Sequence, residues 1–372
     1  MTAFGAAVSG IIYGKDARGN MATGSRLTDE QCMQGLKALR TFGSFKGASE
    51  ATGIARQTIR RWVEEAKVRG LAPPSDGGSE IELPDFPADD IPIERVIDLM
   101  VERSKLRAES YEAHTWFPVK VNDDKPIGIL WFGDPHIDDN GCDWTLLKRY
   151  AELCASTPGL YGANIGDTTN NWAGRLAALY AKQDTSVKTA RRLASWFMLD
   201  SGIKWLLWLI GNHDQWGDGA EILAQMAAKH KTQKIVCHDW EARFVLQFKN
   251  GCEIRVNAAH DFPGNSMWNP LHGAVKTAKQ GDKIDLLVCG HKHNWAVSQW
   301  EMAAQGNVPV MIRVKGFKTY DDYATKLGHY EQKEGAAILT IIDPNATSRA
   351  GRVTAYADVE AGVEYLKWLR SR

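Results

Sequence analysis

"WLLWLIGNHD" spans residues 205–214. Six apolar residues run without interruption and then give way to Gly, an amide, an imidazole and a carboxylate. A short, unbroken apolar run reads as a strand covered on both faces. Such a strand ending in GNHD carries polar side chains to one edge of a sheet. The pattern recurs along the chain. "IGILWF" (127–132) leads into "GDPHIDD" (133–139), "GLYGANI" (159–165) into "GDTTNN" (166–171), and "IDLLVC" (284–289) into "GHKHN" (290–294). Helical stretches separate these runs, so the class is α/β. "EARFVLQFKNGCEIRVNAAH" (241–260) has Asn250-Gly251 between two alternating runs, a strong hairpin signal. It ends in "AAHDF" (258–262). Further strands are expected over about 295–315 and 336–357, and a helix in "EAGVEYLKWLRSR" (360–372).

In open α/β sheets, ligands bind beyond the carboxyl ends of strands. The five polar segments should therefore meet at one edge. They bring Asp134, His136, Asp167, Asn212, His213, His260, His291 and His293 together. Carboxylate oxygen and neutral imidazole nitrogen suit Mn²⁺, Fe²⁺ or Zn²⁺, with Mg²⁺ also open. No cysteine joins the set, which argues against a thiolate site. Asp134 and His136, at i and i+2, point the same way at a strand end. Eight such side chains exceed what one ion with an open position needs. They suit two ions roughly 3.5–4 Å apart, the separation that clamps a displacement at phosphorus. Asp167 is the natural bridge.

This constellation resembles the calcineurin-like metallophosphoesterase family. The family pattern is D-x-H, GD, GNH[D/E], a lone His and G-H-x-H. The chain has Asp134-Pro-His136, Gly166-Asp167, Gly211-Asn212-His213-Asp214, His260 and Gly290-His291-Lys-His293 in that order. The resemblance covers about 126–345. It implies a four-layer sandwich, two mixed sheets flanked by helices. It also implies two ions, most readily Mn²⁺, one on Asp134, His136, Asp167 and His293 and the other on Asp167, Asn212, His260 and His291. His213 is then not a ligand but stabilises or protonates the leaving oxygen, and Asp214 fixes its tautomer. Asp138 and Asp139 are candidates to orient His136, although at least one of them reads first as part of a solvated loop. Asn170 and Asn171 are read as substrate contacts or turn formers, and Arg175, Lys315 and Lys318 as surface cations before phosphate binders. His114, His230, His238, His272 and His329 are read as structural.

The first 125 residues lie outside that resemblance. Residues 1–25 are small and Gly-rich and read as a flexible arm. Thr28 and Gln31 have capping-box spacing. Behind them, Met33, Leu36, Leu39 and Arg40 fall at helical spacing. "ASEATGIARQTIRRWVEEA" (48–66) resembles a helix-turn-helix, so 26–71 is expected to be a small all-α domain of that type. Ala48 and Ala51 would permit close helix approach, Gly53 would make the turn and Ile54 would plug it. Arg56, Gln57, Thr58, Arg60, Arg61 and Lys67 would line the second helix, where such groups reach base edges and phosphates. The same packing also serves protein interaction. Pro, Gly and acidic residues make 72–92 a linker, and 93–125 is expected to be a connecting helix before a catalytic domain over 126–372.

The bulk numbers fit this plan. The chain has 372 residues, 44% hydrophobic and 24% charged, with zero formal net charge. It is therefore no polycation that coats nucleic acid indiscriminately. No apolar stretch reaches the roughly 18–20 residues of a membrane span, and no basic region precedes the first short apolar run. The six cysteines are scattered with no C-x-x-C pair, the pattern of reduced thiols in a cytoplasm. The expectation is a two-metal phosphoesterase acting on a phosphodiester, with DNA as partner and a nuclease activity. The arrangement resembles phage and prophage enzymes, which would place it in a bacterial host's cytoplasm. Two other readings stay open: a phosphatase or small-molecule phosphodiesterase whose helical domain sets a homo-oligomer, and a DNA-binding regulator with an inactive metal domain. Residues 172–204 are long for a crossover and are expected to cap the site or form a dimer face.

Overall fold

The structure, a computed structural model, describes residues 27–72, 89–230, 234–320 and 334–372. The expected arm, most of the expected linker and His329 lie outside these residues. The chain divides into two compact units, 1–91 and 92–372.

Among its described residues, the first unit holds three helices: α1 (Asp29–Phe42), α2 (Phe45–Thr52) and α3 (Arg56–Val68). The capping box is present. Gln31 N donates to Thr28 Oγ1 at 3.2 Å, and Thr28 N donates to Gln31 Oε1 at 3.0 Å. Gly43 (φ 63°) and Gly53 (φ 69°) end α1 and α2 in the left-handed conformation that favours glycine. The buried stripe of α1 is Cys32, Gly35 and Ala38, one residue out of step with the expected Met33, Leu36 and Leu39, which are half-buried. The reason is close approach. A Cβ on Gly35 would lie 2.8 Å from Trp62 Cβ, so small residues face α3. Ala48 is buried as expected, but Ala51 is exposed.

The second unit begins with α4 (Ile93–His114), which buries no residue. The expected connecting helix stops there: Phe117–Val121 forms a strand, β1, parallel to β6 (Glu241–Phe248). Pro118 masked it. Proline is tolerated in a strand at a sheet edge, and β1 is an edge.

The other strands are β2 (Ile127–Phe132), β3 (Leu160–Asn164), β4 (Trp205–Ile210), β5 (Val236–Asp239), β7 (Glu253–Ala259), β8 (Leu286–Cys289), β9 (Ala296–Gln299), β10 (Val310–Arg313), β11 (Ala337–Ile342) and β12 (Val353–Tyr356). They form two mixed six-stranded sheets, ordered β1-β6-β7-β8-β10-β9 and β12-β11-β2-β3-β4-β5. Central strands alternate between two apolar layers. In β2, Ile129 and Trp131 join a core shared by both sheets, while Leu130 and Phe132 join a core with α5 (Trp144–Ser156) and α9 (Val359–Ser371). In β8, Leu286 and Val288 face the shared core, while Leu287 and Cys289 meet α8 (His272–Gln280) on the opposite side. The unit is therefore two sheets back to back with helices on the outer faces. The long 171–204 crossover contains a 3₁₀ helix (Gly174–Lys182), α6 (Val187–Ser195) and a π-helical turn (Trp196–Asp200), and α7 (Gly219–Ala228) connects β4 to β5. Among the described residues, no helix is long and apolar enough to cross a membrane.

Strands β5 and β6 lie in different sheets, and the single residue Trp240 separates them at φ 58°. Trp240 N donates to Ile210 O (3.2 Å), His260 N to Trp240 O (2.7 Å) and Gly290 N to His260 O (2.9 Å). These bonds stitch the end of β4 in one sheet to the ends of β7 and β8 in the other. Phe244→Ala, in the shared core, is expected to cost about 3–5 kcal/mol in denaturant unfolding. Met267→Ala, at 93% exposure, should change it by less than about 0.5 kcal/mol.

Candidate metal centre

Every residue expected at the metal site falls at the end to which Trp240 binds the two sheets. Asp134 and His136 follow β2, Asp167 follows β3, and Asn212, His213 and Asp214 follow β4. His260 follows β7, and His291 and His293 follow β8. The loops nearly touch. A Cβ on Gly211 would stand 2.2 Å from Asp167 Oδ1, and one on Gly166 would stand 2.7 Å from Gly211 N. Only glycine fits those places. His136 (φ 39°), Asp167 (51°), His291 (69°) and His293 (48°) all take left-handed backbone. That costs on the order of 1–3 kcal/mol each and persists only where surroundings impose it.

The donor atoms converge in two groups. Nε2 of His260 lies 2.9 Å from Asn212 Oδ1, 3.3 Å from Asp167 Oδ2 and 3.1 Å from His291 Nδ1. Ligands about 2.0–2.2 Å from one cation stand about 3 Å apart when at right angles. Nδ1 of His260 already donates to Ile165 O at 2.9 Å, which leaves Nε2 for the centre. In the second group, His136 Nε2 is 3.9 Å from Asp167 Oδ2, and His293 Nε2 is 3.9 Å from Asp134 Oδ2. Asp134 Oδ1 and both ring nitrogens of His136 are buried without a hydrogen-bond partner among the described residues. Orphaned buried polar atoms cost about 1–3 kcal/mol each, and a cation would satisfy them. The triads His136–Asp167–His213 and Asp167–His260–His291 each bring one donor atom per residue within 4.8 Å of one another. These groups can hold a metal ion. Geometry thus offers His213 as a donor too, although the sequence reading kept it off the metal.

The electrostatics are those of a cation site. Burial pushes the Asp134 carboxyl up to about 8, a rise that the His260 charge opposes. Burial works against the charged forms of Asp167 and His260. The hydrogen bond and ion pair between them win, so Asp167 is lowered and His260 is raised to about 9. Burial, with neighbouring cations, drives His136 well below the usual imidazole range and lowers His291 as well.

The surrounding loops are fixed by partners that correct several expectations. Asp214 does not touch the His213 ring. It is buried and accepts from Thr168 N and Gly211 N, both at 3.0 Å, bracing the β3 and β4 loops. Burial and then the nearby Asp167 charge push its carboxyl up to about 7. The His213 tautomer is set by Asn170 O, 2.5 Å from Nδ1. A carbonyl only accepts, so Nδ1 carries the proton and Nε2 is left for chemistry. Asp138 and Asp139 do not orient His136: Asp138 accepts from Asn170 N (2.7 Å) and Gln183 Nε2 (2.9 Å), and Asp139 pairs with Lys318 (3.0 Å). Lys315 is buried, and Arg175 is exposed on the 3₁₀ helix. Asn171 Nδ2 donates to His213 O (2.8 Å) and Trp216 O (2.7 Å), a loop brace. Arg313 is fully buried. It donates to Pro270 O (2.7 Å), Asp261 Oδ1 (2.9 Å) and Gly290 O, clamping the loops that carry His260 and His291. Sequence reading missed Arg313, although a charge inside the apolar "VMIRV" (310–314) was a usable signal. Nothing in the sequence marked Gln183.

No protein-family model matches this chain, and no curated protein matches it.

A bound cation requires an ionised Asp134 and a neutral His260. Metal entry should therefore release protons, and affinity should begin to fall as pH drops below about 9. Calorimetric Mn²⁺ titrations on both sides of that pH, in buffers of different ionisation enthalpy, check this. Proton-independent binding would contradict it.

Proposed function

We propose that the chain is a two-metal phosphoesterase of the calcineurin-like type that hydrolyses phosphodiesters in DNA. One observation carries the reading: a single oxygen, Asp167 Oδ2, lies 3.9 Å from His136 Nε2 and 3.3 Å from His260 Nε2, one from each donor group. That is where a carboxylate shared by two cations belongs. Asp134, His136, Asp167 and His293 would hold one ion, and Asp167, Asn212, His260 and His291 the other, with Mn²⁺ the natural choice for this oxygen and nitrogen set. Such a pair supplies an activated water and neutralises phosphoryl charge.

The chain's own residues do the rest. Asp167 Oδ1 accepts from His213 N at 2.8 Å, so the carboxylate at the centre and the imidazole are held as one piece. His213, with Nδ1–H given to Asn170 O, presents Nε2 to the leaving oxygen. As the water oxygen bonds to phosphorus, the ester P–O bond breaks, and its electron pair leaves with the alcohol oxygen. That oxygen takes the proton from Nε2, and the proton lost by the water restores the imidazolium.

The DNA assignment rests on the first unit. The order α2, Gly53, α3 resembles a helix-turn-helix and supports this assignment, and Arg56, Gln57, Arg60 and Arg61 are exposed on α3, with Thr58 half-buried. Arg60 pairs with Glu64 at 3.4 Å and lies over the Phe45 ring, which leaves Arg56 and Arg61 the stronger phosphate contacts.

His213→Ala should keep its metal and lose turnover by about 10²–10⁴. The deficit should be larger for alkyl than for nitrophenyl leaving groups, which need no proton. Metal analysis beside kinetics decides: loss of an ion would make His213 a ligand instead. The double variant Arg56→Ala/Arg61→Ala should weaken DNA binding and lower the salt-dependence slope by about 0.9 for each phosphate no longer neutralised. An unchanged slope in a fluorescence titration would remove α3 from the DNA surface.

A further inference from the structure

The imidazole of His213 has a second set of neighbours. Trp172 approaches it edge-to-face with centroids 5.1 Å apart, and Trp216 lies tilted at 4.3 Å. Both indoles are half-buried. Half-burial elsewhere goes with core packing, as in Trp144 and Trp196, but among the described residues neither Trp172 nor Trp216 belongs to an apolar core cluster. The two indoles therefore keep apolar surface open beside a polar centre that has no packing use for it.

Their positions are set in advance. Trp172 Nε1 donates to Gln183 Oε1 at 3.0 Å, and Gln183 Nε2 in turn donates to Asp138 Oδ2 (2.9 Å) and Thr185 O (3.0 Å). Lys318 Nζ stands 5.7 Å over the Trp172 ring. Asn171, at φ 39°, holds the carbonyls of both His213 and Trp216. One frame thus orients the proton donor and both indoles. Rigid aromatic faces are the standard device for holding a base by stacking, and they tolerate any base because every base has a π-face.

We propose that Trp172 and Trp216 receive the base of the leaving nucleoside, so that the bond cleaved adjoins an unpaired nucleotide. This rests on the phosphodiesterase reading, in which His213 marks the leaving-group side. A base inside a duplex is stacked on both faces and must leave the helix to reach another ring. The substrate class is therefore single strands, unpaired ends or short nucleotide fragments.

The test uses the full chain with Mn²⁺ and three substrates: a short single strand, the same strand with the leaving-side base replaced by hydrogen, and the strand in a duplex. A dinucleoside phosphate separates a lone nucleoside from a strand. Removing the base should lower kcat/KM by roughly 5- to 150-fold, the range of one base–aromatic stack. The duplex should be cut more slowly than the strand. In Trp172→Leu and Trp216→Leu the penalty for removing the base should shrink, while Trp172→Phe should restore part of it. Trp368→Ala, on the exposed face of α9, should leave the penalty as it is. An equal rate on the abasic strand, or a penalty untouched by both leucine variants, overturns the proposal. Hydrolysis of a bis-nitrophenyl phosphate in that case would show that the parent reading survives. Absence of hydrolysis on every diester would sink both.

Discussion

The centre depends on a one-residue corner. Trp240, at φ 58°, takes the chain from β5 in one sheet to β6 in the other, and its N–H and C=O bind Ile210 O and His260 N. Two sheets packed only by apolar side chains could slide or splay at their ends. Backbone hydrogen bonds through Trp240, His260 and Gly290 fix the spacing between the ends of β4, β7 and β8. The Trp240 ring is part of the same lock. Its Nε1 donates to Asp261 O at 3.2 Å, and its face meets His260 edge-on at 5.1 Å. Asp167 and Asn212 arrive from one sheet and His260 and His291 from the other, so the donor group exists only because this edge is closed.

Gathering such residues is unfavourable in itself. Two buried carboxylates, Asp134 and Asp167, share a pocket with His136 and His260, four site residues hold left-handed backbone, and some polar atoms lack partners. The apolar layers on both sides of each sheet oppose this cost. Specific braces do the rest: Asp214 ties the β3 and β4 loops, and Arg313 ties the β7 and β8 loops. A buried guanidinium is tolerated because three acceptors satisfy it. Concentrated strain and perturbed protonation are what a preorganised cation site requires.

The 171–204 crossover acts through a small polar network. Gln183 is its hub, bonded to Asp138, Asn170 and Trp172. Asn170 passes that order to His213 through its carbonyl. The long insertion thus frames the His213 imidazole, and its neighbour Asn171 holds the Trp216 carbonyl beside it.

The sequence alone determined the α/β class, the strands β2, β3 and β4, the Asn250-Gly251 hairpin, the capping box of Thr28 and the residues that gather at one end. Each is encoded within a few neighbouring residues: unbroken apolar runs, a turn dipeptide, a cap spacing, Gly before a polar strand end. Only the tertiary structure decided that the ligand loops come from two sheets and that β1 closes an edge. It alone decided that Asn170, not Asp214, sets the His213 tautomer, and that Asp138 and Asp139 serve Gln183 and Lys318 instead of His136. Those outcomes turn on hydrogen bonds and loop approaches between residues far apart in the chain. A carboxylate one residue after an imidazole carries no local sign of which backbone amide it will meet.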